Sequence, residues 1–332
     1  MKKLPFALFG CFFLIVSTIS ATAREIKKDF HESFDVREGV VLHLKHGGGD
    51  VTITPWDKDV VDVEVHYRAD SKLVGLGGKH DFDVEFRQND DAIHVIGKEK
   101  SSSSIGFSYF KRYEYTYTIQ APKYLELNLE GDDGDVDIEN WQGKIDCRLD
   151  DGDVDLQDIF SKRTRIRIAD GDLEIDGIQG NLLVDGDDGD IVIAECKSQQ
   201  CRIRLEDGDV TIKRSEGDFE IDVDDGDVEL YQLRAGKLDI RTKDGDIDLD
   251  LLKSSEIDLD IIAEDGDVTV DLEVGISAIF SVDTDDGRIR VDLPDADLSR
   301  NRRHQVSGEI HGGKGRIRIR TADGNVILRE SE

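Results

Sequence analysis

The chain has 332 residues, 35% of them charged, and its 74 acidic against 43 basic residues leave a formal net charge of −31. Such a surface repels phosphate backbones, which argues against nucleic acid as a partner. Acidity with few aromatics also marks disordered chains, but a regular apolar alternation along most of this sequence argues against that class.

Residues 1–23 read as an export signal: Lys2 and Lys3, an apolar core from Leu4 to Ile19, then small residues at Ala21 and Ala23, with cleavage expected before Arg24. The apolar run is short for a membrane span. A lipid anchor through Cys11 is the alternative, although Phe9 suits that motif poorly.

Residues 24–125 are predicted to be N-terminal β coils with long loops, or a β cap. Strand-like alternations occur at Val61–Tyr67, Phe82–Phe86, Ile93–Val95 and Tyr113–Ile119. Gly-rich residues Ser71–His80 and the segment Glu99–Arg112, with Ile105, Phe107, Tyr109 and Phe110, interrupt them. Exposed aromatics on such a loop suit partner recognition, or a lid folded over the cap.

Residues 126–332 carry the dominant signal. Asp-Gly-Asp recurs with its glycine at 134, 152, 171, 189, 208, 226 and 245, at spacings of 18 or 19 residues. Related turns occur at Gly49, Gly266, Gly287 and Gly324. Counting from each glycine, positions +2 and +4 are always aliphatic, as in Val154 and Leu156 or Ile191 and Ile193. Positions −7, −5 and −3 alternate likewise, as in Cys201, Ile203 and Leu205. Period two means strands with one buried face. Glycine accepts positive φ at the turn between them. A second, weaker turn is expected near Gly143, Gly180, Gly217 and Gly236.

A fixed short period is the mark of a stacked repeat. The expected fold is therefore all-β, a parallel β-solenoid of 18–19-residue coils with two short strands each. An antiparallel sandwich would also place turns every nine residues, but needs no strict register. Trp56 and Trp141 both stand at +7, which suits a common template. A polar loop at 295–313 is expected to replace much of one coil, with a last coil at Gly315–Arg329.

Three motifs together carry a family resemblance: Gly49–Ile53, Tyr117–Pro122 leading into the repeats, and Ser307–Gly313 before the final Arg-Ile-Arg run. The chain resembles the bacterial "putative adhesin" β-strand-repeat family of unknown function. That resemblance implies an exported envelope protein and supplies no functional residues. The aspartate before nearly every glycine departs from the family's Gly-Asp-Val/Ile turn.

Stacking puts these aspartates in columns: Asp151, Asp170 and Asp188 before the glycine, Asp153, Asp172 and Asp190 after it. Carboxylates about 4.8 Å apart repel by roughly 0.9 kcal/mol per pair in water. Relief comes either from turn amides and solvent, with Arg148, Arg165, Arg167, Arg202, Arg204 and Arg241 offsetting charge, or from Ca²⁺. Cys147, Cys196 and Cys201 fall on core positions, and Cys196 and Cys201 are placed to bridge a turn in an oxidising compartment. No catalytic motif is present and no pair of carboxylates stands out, so no residue is assigned a catalytic, cofactor or metal role. The expectation is a non-enzymatic envelope scaffold or adhesion-type module without cofactor. Its partner would be an envelope or extracellular protein or polysaccharide, met in the periplasm, on the surface or outside the cell. The alternatives are a Ca²⁺-dependent β-roll, whose folding couples to the metal, and a polysaccharide-active enzyme.

Overall fold

The computed structural model describes residues 23–72, 80–101, 109–254 and 256–331. The expected signal segment, Cys11, Ile105 and Phe107 lie outside these residues, Ala23 excepted. The fold is all-β, with 25 strands and no helix among the described residues.

The period of the sequence becomes a stack of rungs, each named here by its turn glycine. Leu127, Ile145, Thr164, Leu182 and Cys201 stand side by side in parallel register, each 18 or 19 residues from the next. After the turn, Val136, Val154, Leu173, Ile191 and Val210 do the same. The ladder before the glycine and the ladder after it face each other. Their inward residues make one continuous core. The aliphatic +2 and +4 positions are buried in the regular rungs, which is why the alternation has to be strict: a one-residue slip would turn the apolar set outward.

Opposite the glycine turn, the chain bends at position +6. Asn140, Asp158, Gly177, Glu195, Arg214 and Gln232 all have positive φ there, between 49° and 81°. The next residue turns inward, so Trp141, Ile159, Ile178, Cys196 and Leu233 are buried. The turn expected near Gly143, Gly180 and Gly217 is thus a wider corner that begins three residues earlier; Gly180 and Gly217 lie within it, with φ of 115° and 150° at register shifts between rungs. Only its left-handed start escaped the sequence, because five of the six residues there are not glycine.

Both ends depart from chain order. At the N-terminal end the strands are β1 (Ala23–Asp35), β2 (Val41–Gly48), β3 (Asp50–Trp56), β4 (Val60–Lys72), β5 (His80–Gln88), β6 (Ala92–Ser101) and β7 (Tyr109–Pro122). The Gly49 rung, β2 with β3, packs directly on the Gly134 rung. β6 and β7 then form a further parallel rung outside it. β5 pairs antiparallel with β6, β4 with β7, and β1 with β4.

The C-terminal end repeats the device. Residues Asp258–Asp265 pair with Gly315–Asp323 rather than with Ala278–Asp286. This qualifies the expectation of a last coil at Gly315–Arg329: it is last in the chain but slotted between the Gly266 and Gly287 rungs in the stack. Residues 295–313 correct a second expectation. They are no loop in place of a coil but contain a hairpin, Asp297–Arg302 with Gln305–Ile310, whose second strand runs antiparallel to Ala278–Asp286. Antiparallel strands thus cover the N-terminal end of the stack and one of the two ladders at its C-terminal end, limiting the open edges of the repeat array.

The two tryptophans are not equivalent. Trp141 is fully buried and donates its indole N–H to the Leu125 carbonyl at 2.9 Å. Trp56 is half-buried beneath the Lys58 ammonium, because its neighbour is Pro122 at the end of β7 and not another regular rung.

Candidate functional site

The acidic edge is built from the turn upward. Gly152 has φ of 122° and Gly208 of 131°, outside the range of ordinary L-residues. Each glycine also lies against its counterpart: a Cβ on Gly152 would collide with the Gly134 carbonyl, and one on Gly208 with that of Gly189. The glycines stack in the order 49, 134, 152, 171, 189, 208, 226, 245, 266, 324, 287, and Tyr115 of β7 covers Gly49. Glycine is thus required twice, by conformation and by spacing between rungs.

The two aspartate columns have different duties. After the glycine, each side chain receives the backbone N–H of its neighbour. Asp172 N–H donates to Asp153 Oδ1 at 2.9 Å, Asp190 N–H to Asp172 at 2.8 Å, and Asp209 N–H to Asp190 at 3.0 Å. The chain of bonds runs from Asp50 through Asp267 to Asn325, whose Oδ1 accepts the Arg288 N–H at 3.2 Å. These carboxylates satisfy turn amides and belong to the fold.

Before the glycine, Asp151, Asp170, Asp188, Asp207, Asp225 and Asp244 are exposed, and no cation or backbone N–H of the described residues meets their side chains. Their neighbours are each other. A hydrogen bond shared with Asp170 pushes the Asp151 carboxyl above the usual range, with repulsion from Asp170, Asp133 and Asp150 adding to it. Asp244 is raised first by its hydrogen bond with Asp225. Asp207 is raised by partial loss of hydration and by the charges of Asp188 and Asp225. These are the signs of unrelieved like charge.

Four of the six arginines expected to relieve this edge are engaged elsewhere. On the outer face of the preceding ladder, Arg165 and Arg204 each reach Asp185 at 3.7 Å, Arg167 reaches Asp146 at 3.5 Å, and Arg202 holds Glu220 at 2.7 Å. A cavity of about 570 Å³ opens at the N-terminal end of the edge, lined in part by Lys45, Glu99, Tyr115 and Asp133. There the Tyr115 hydroxyl donates to Glu99 at 2.7 Å.

Two further groups stand apart from the edge. Cys147, Cys196 and Cys201 are free and buried, and contact with Cys196 raises the Cys201 thiol well above its usual range. The second group is invisible in the sequence: His31, Asp62 and Glu64 bring their ligand atoms within 4.8 Å of one another. They sit on two strands joined only by β-sheet register, so no local motif announces them.

Known proteins place the chain as follows. The Toastrack DUF4097 family matches residues 41–329. Among solved structures, a putative adhesin from Bacteroides fragilis aligns over 94% of this chain and 100% of its own, at 15% identity and a TM-score of 0.37. A putative cell adhesion protein from Clostridium sporogenes aligns over 93% and 100%, at 10% identity and a TM-score of 0.20. A comparison with curated proteins returned no match. With nearly the whole described length covered by one family, from β2 to the last strand, the chain belongs to the Toastrack DUF4097 family.

Proposed function

We propose that the protein is a non-enzymatic, exported cell-envelope module, a parallel β-solenoid of 18–19-residue coils that presents a repetitive acidic edge to a surface or partner. The observation that carries this reading is the column Asp151, Asp170, Asp188, Asp207, Asp225 and Asp244. It is exposed, in register and without a basic partner among the described residues. A row of identical charges at a fixed spacing gives avidity for a cationic or cation-bridged surface, each contact weak and the sum strong. The carboxylates after the glycine are already committed to backbone amides, so neutralising the column before it leaves the fold intact. Binding of purified protein to envelope fractions and to whole cells tests the reading. Asp→Asn changes at Asp170, Asp188 and Asp207 together should weaken binding severalfold, while any one of them has little effect. Full binding by the triple variant would sink the proposal.

A Ca²⁺-dependent roll is the second reading, favoured by the same unrelieved column. If metal drives folding, EDTA lowers the melting temperature by many degrees. An unchanged melting curve eliminates this second reading and leaves the first standing.

A further inference from the structure

We propose that the solvent face of the β1–β4 pair is a transition-metal site in which His31, Asp62, Glu64 and His66 bind one zinc-type divalent ion. Antiparallel register sets His31 opposite Glu64, Ser33 opposite Asp62 and Asp29 opposite His66. Directly opposed side chains have Cβ atoms about 5 Å apart, so these six form one compact block. Phe30 and Phe34 point to the other face, where they pack on Phe82 and Phe86.

The block has the layout of a ligand set with its supports. His31 Nε2 lies 2.9 Å from Asp62 Oδ1, and both lie within 4.8 Å of a Glu64 oxygen. His66 turns Nε2 toward Glu64 Oε2 at 3.8 Å, while its Nδ1 is hydrogen-bonded to Asp29 Oδ1 at 2.8 Å. A carboxylate that holds one ring nitrogen and leaves the other free is the usual support of a ligating histidine. The Ser33 hydroxyl donates to Asp62 in the same supporting way. It donates to the carboxylate and not to an imidazole, so the group is no nucleophile and base.

Zinc bound tetrahedrally at about 2.0–2.2 Å spaces its donors roughly 3.3 Å apart; His31, Asp62 and Glu64 are already within 4.8 Å of one another, and His66 would swing in from its place beside Glu64. Two imidazoles with two carboxylates suit zinc and its neighbours, while Ca²⁺ and Mg²⁺ prefer all-oxygen sets. Two carboxylates also balance the charge of a divalent ion. Cations flank the block at both ends, Lys27 and Arg68 beyond His66 and Lys58 near Asp62, which centres the ion on the His31–Glu64 pair.

Calorimetric titration of residues 24–332 with zinc chloride, in excess Ca²⁺ to occupy the acidic edge, tests the site. One zinc per chain is expected, and the double variant His31→Ala, His66→Ala should bind it roughly tenfold more weakly or worse. Both histidines are more than half exposed, at 57% and 56%, so that variant keeps its melting temperature in EDTA. Imidazole NMR of the unmodified protein gives a second readout. Zinc should move the His31 and His66 signals and leave the stacked pair His43 and His94 in place. No saturable uptake, undiminished uptake by the double variant, or shifts at His43 and His94 instead would overturn the site.

Discussion

At Gly189 a positive φ of 129° coincides with contact against the Gly171 carbonyl. Gly189→Ala should cost roughly 1–3 kcal/mol from backbone conformation alone, and more from the collision, read as a lower urea midpoint. The neighbouring ladder separates charge from hydrogen bonding. Asp172→Ala removes the acceptor of the Asp190 N–H and should cost about 1 kcal/mol. Asp172→Asn keeps the oxygen, loses the repulsion and should be neutral or better; Asn325 already fills that role in the same ladder. The core holds one charge risk. His46 is fully buried, its ring fitted over Gly131 and against Tyr117, with neither ring nitrogen paired. Burial pushes its pKa down to about 4. It is neutral in the fold, so its contribution holds above the ordinary value near 6.5 and is lost as pH falls toward 4, by about 3 kcal/mol. Asp151, Asp207 and Asp244 act oppositely. Their raised folded values favour the fold in acid, and that gain is lost as pH rises through them. Melting curves of His46→Phe against the parent from pH 7 to 4 should therefore diverge, the variant holding up better in acid.

Among the elements, a middle rung and the last rung respond differently to deletion. Removing residues 190–208 joins Gly189 to Asp209 and restores the register, since both neighbours present the same aliphatic columns. Size exclusion and circular dichroism should find that shortened chain folded. Removing residues 314–332 looks milder in sequence but takes out a rung sandwiched between two others. That truncation should lose cooperative unfolding and aggregate, because it parts Asp258–Asp265 from Ala278–Asp286 and Val268–Glu273 from Ile289–Asp292, and so bares four strand edges.

For the whole molecule, charge is the dominant variable. A net charge of −31, concentrated along one edge, opposes compaction. Raising salt from about 0.01 M to 0.3 M shortens the screening length from about 30 Å to under 10 Å and should raise the melting temperature steadily. A flat response would mean that bound cations already neutralise the edge. The ion-paired outer face, by contrast, has its arginines matched to acids and should add little to the salt effect.

The amino-acid order alone determined the strands, their turns and the burial of the +2 and +4 columns, because period two and glycine's backbone freedom are local properties. It also marked Asp151, Asp170 and Asp188 as a column distinct from Asp153, Asp172 and Asp190. Only the tertiary structure decided which column serves the backbone, since that depends on where the next rung's amide lies. The same holds for the slot filled by the final coil, the left-handed corner at Glu195 and Arg214, and the meeting of His31 with Asp62 and Glu64. Each rests on contacts between residues far apart in the chain, and pairing register, not local propensity, sets which distant residues meet.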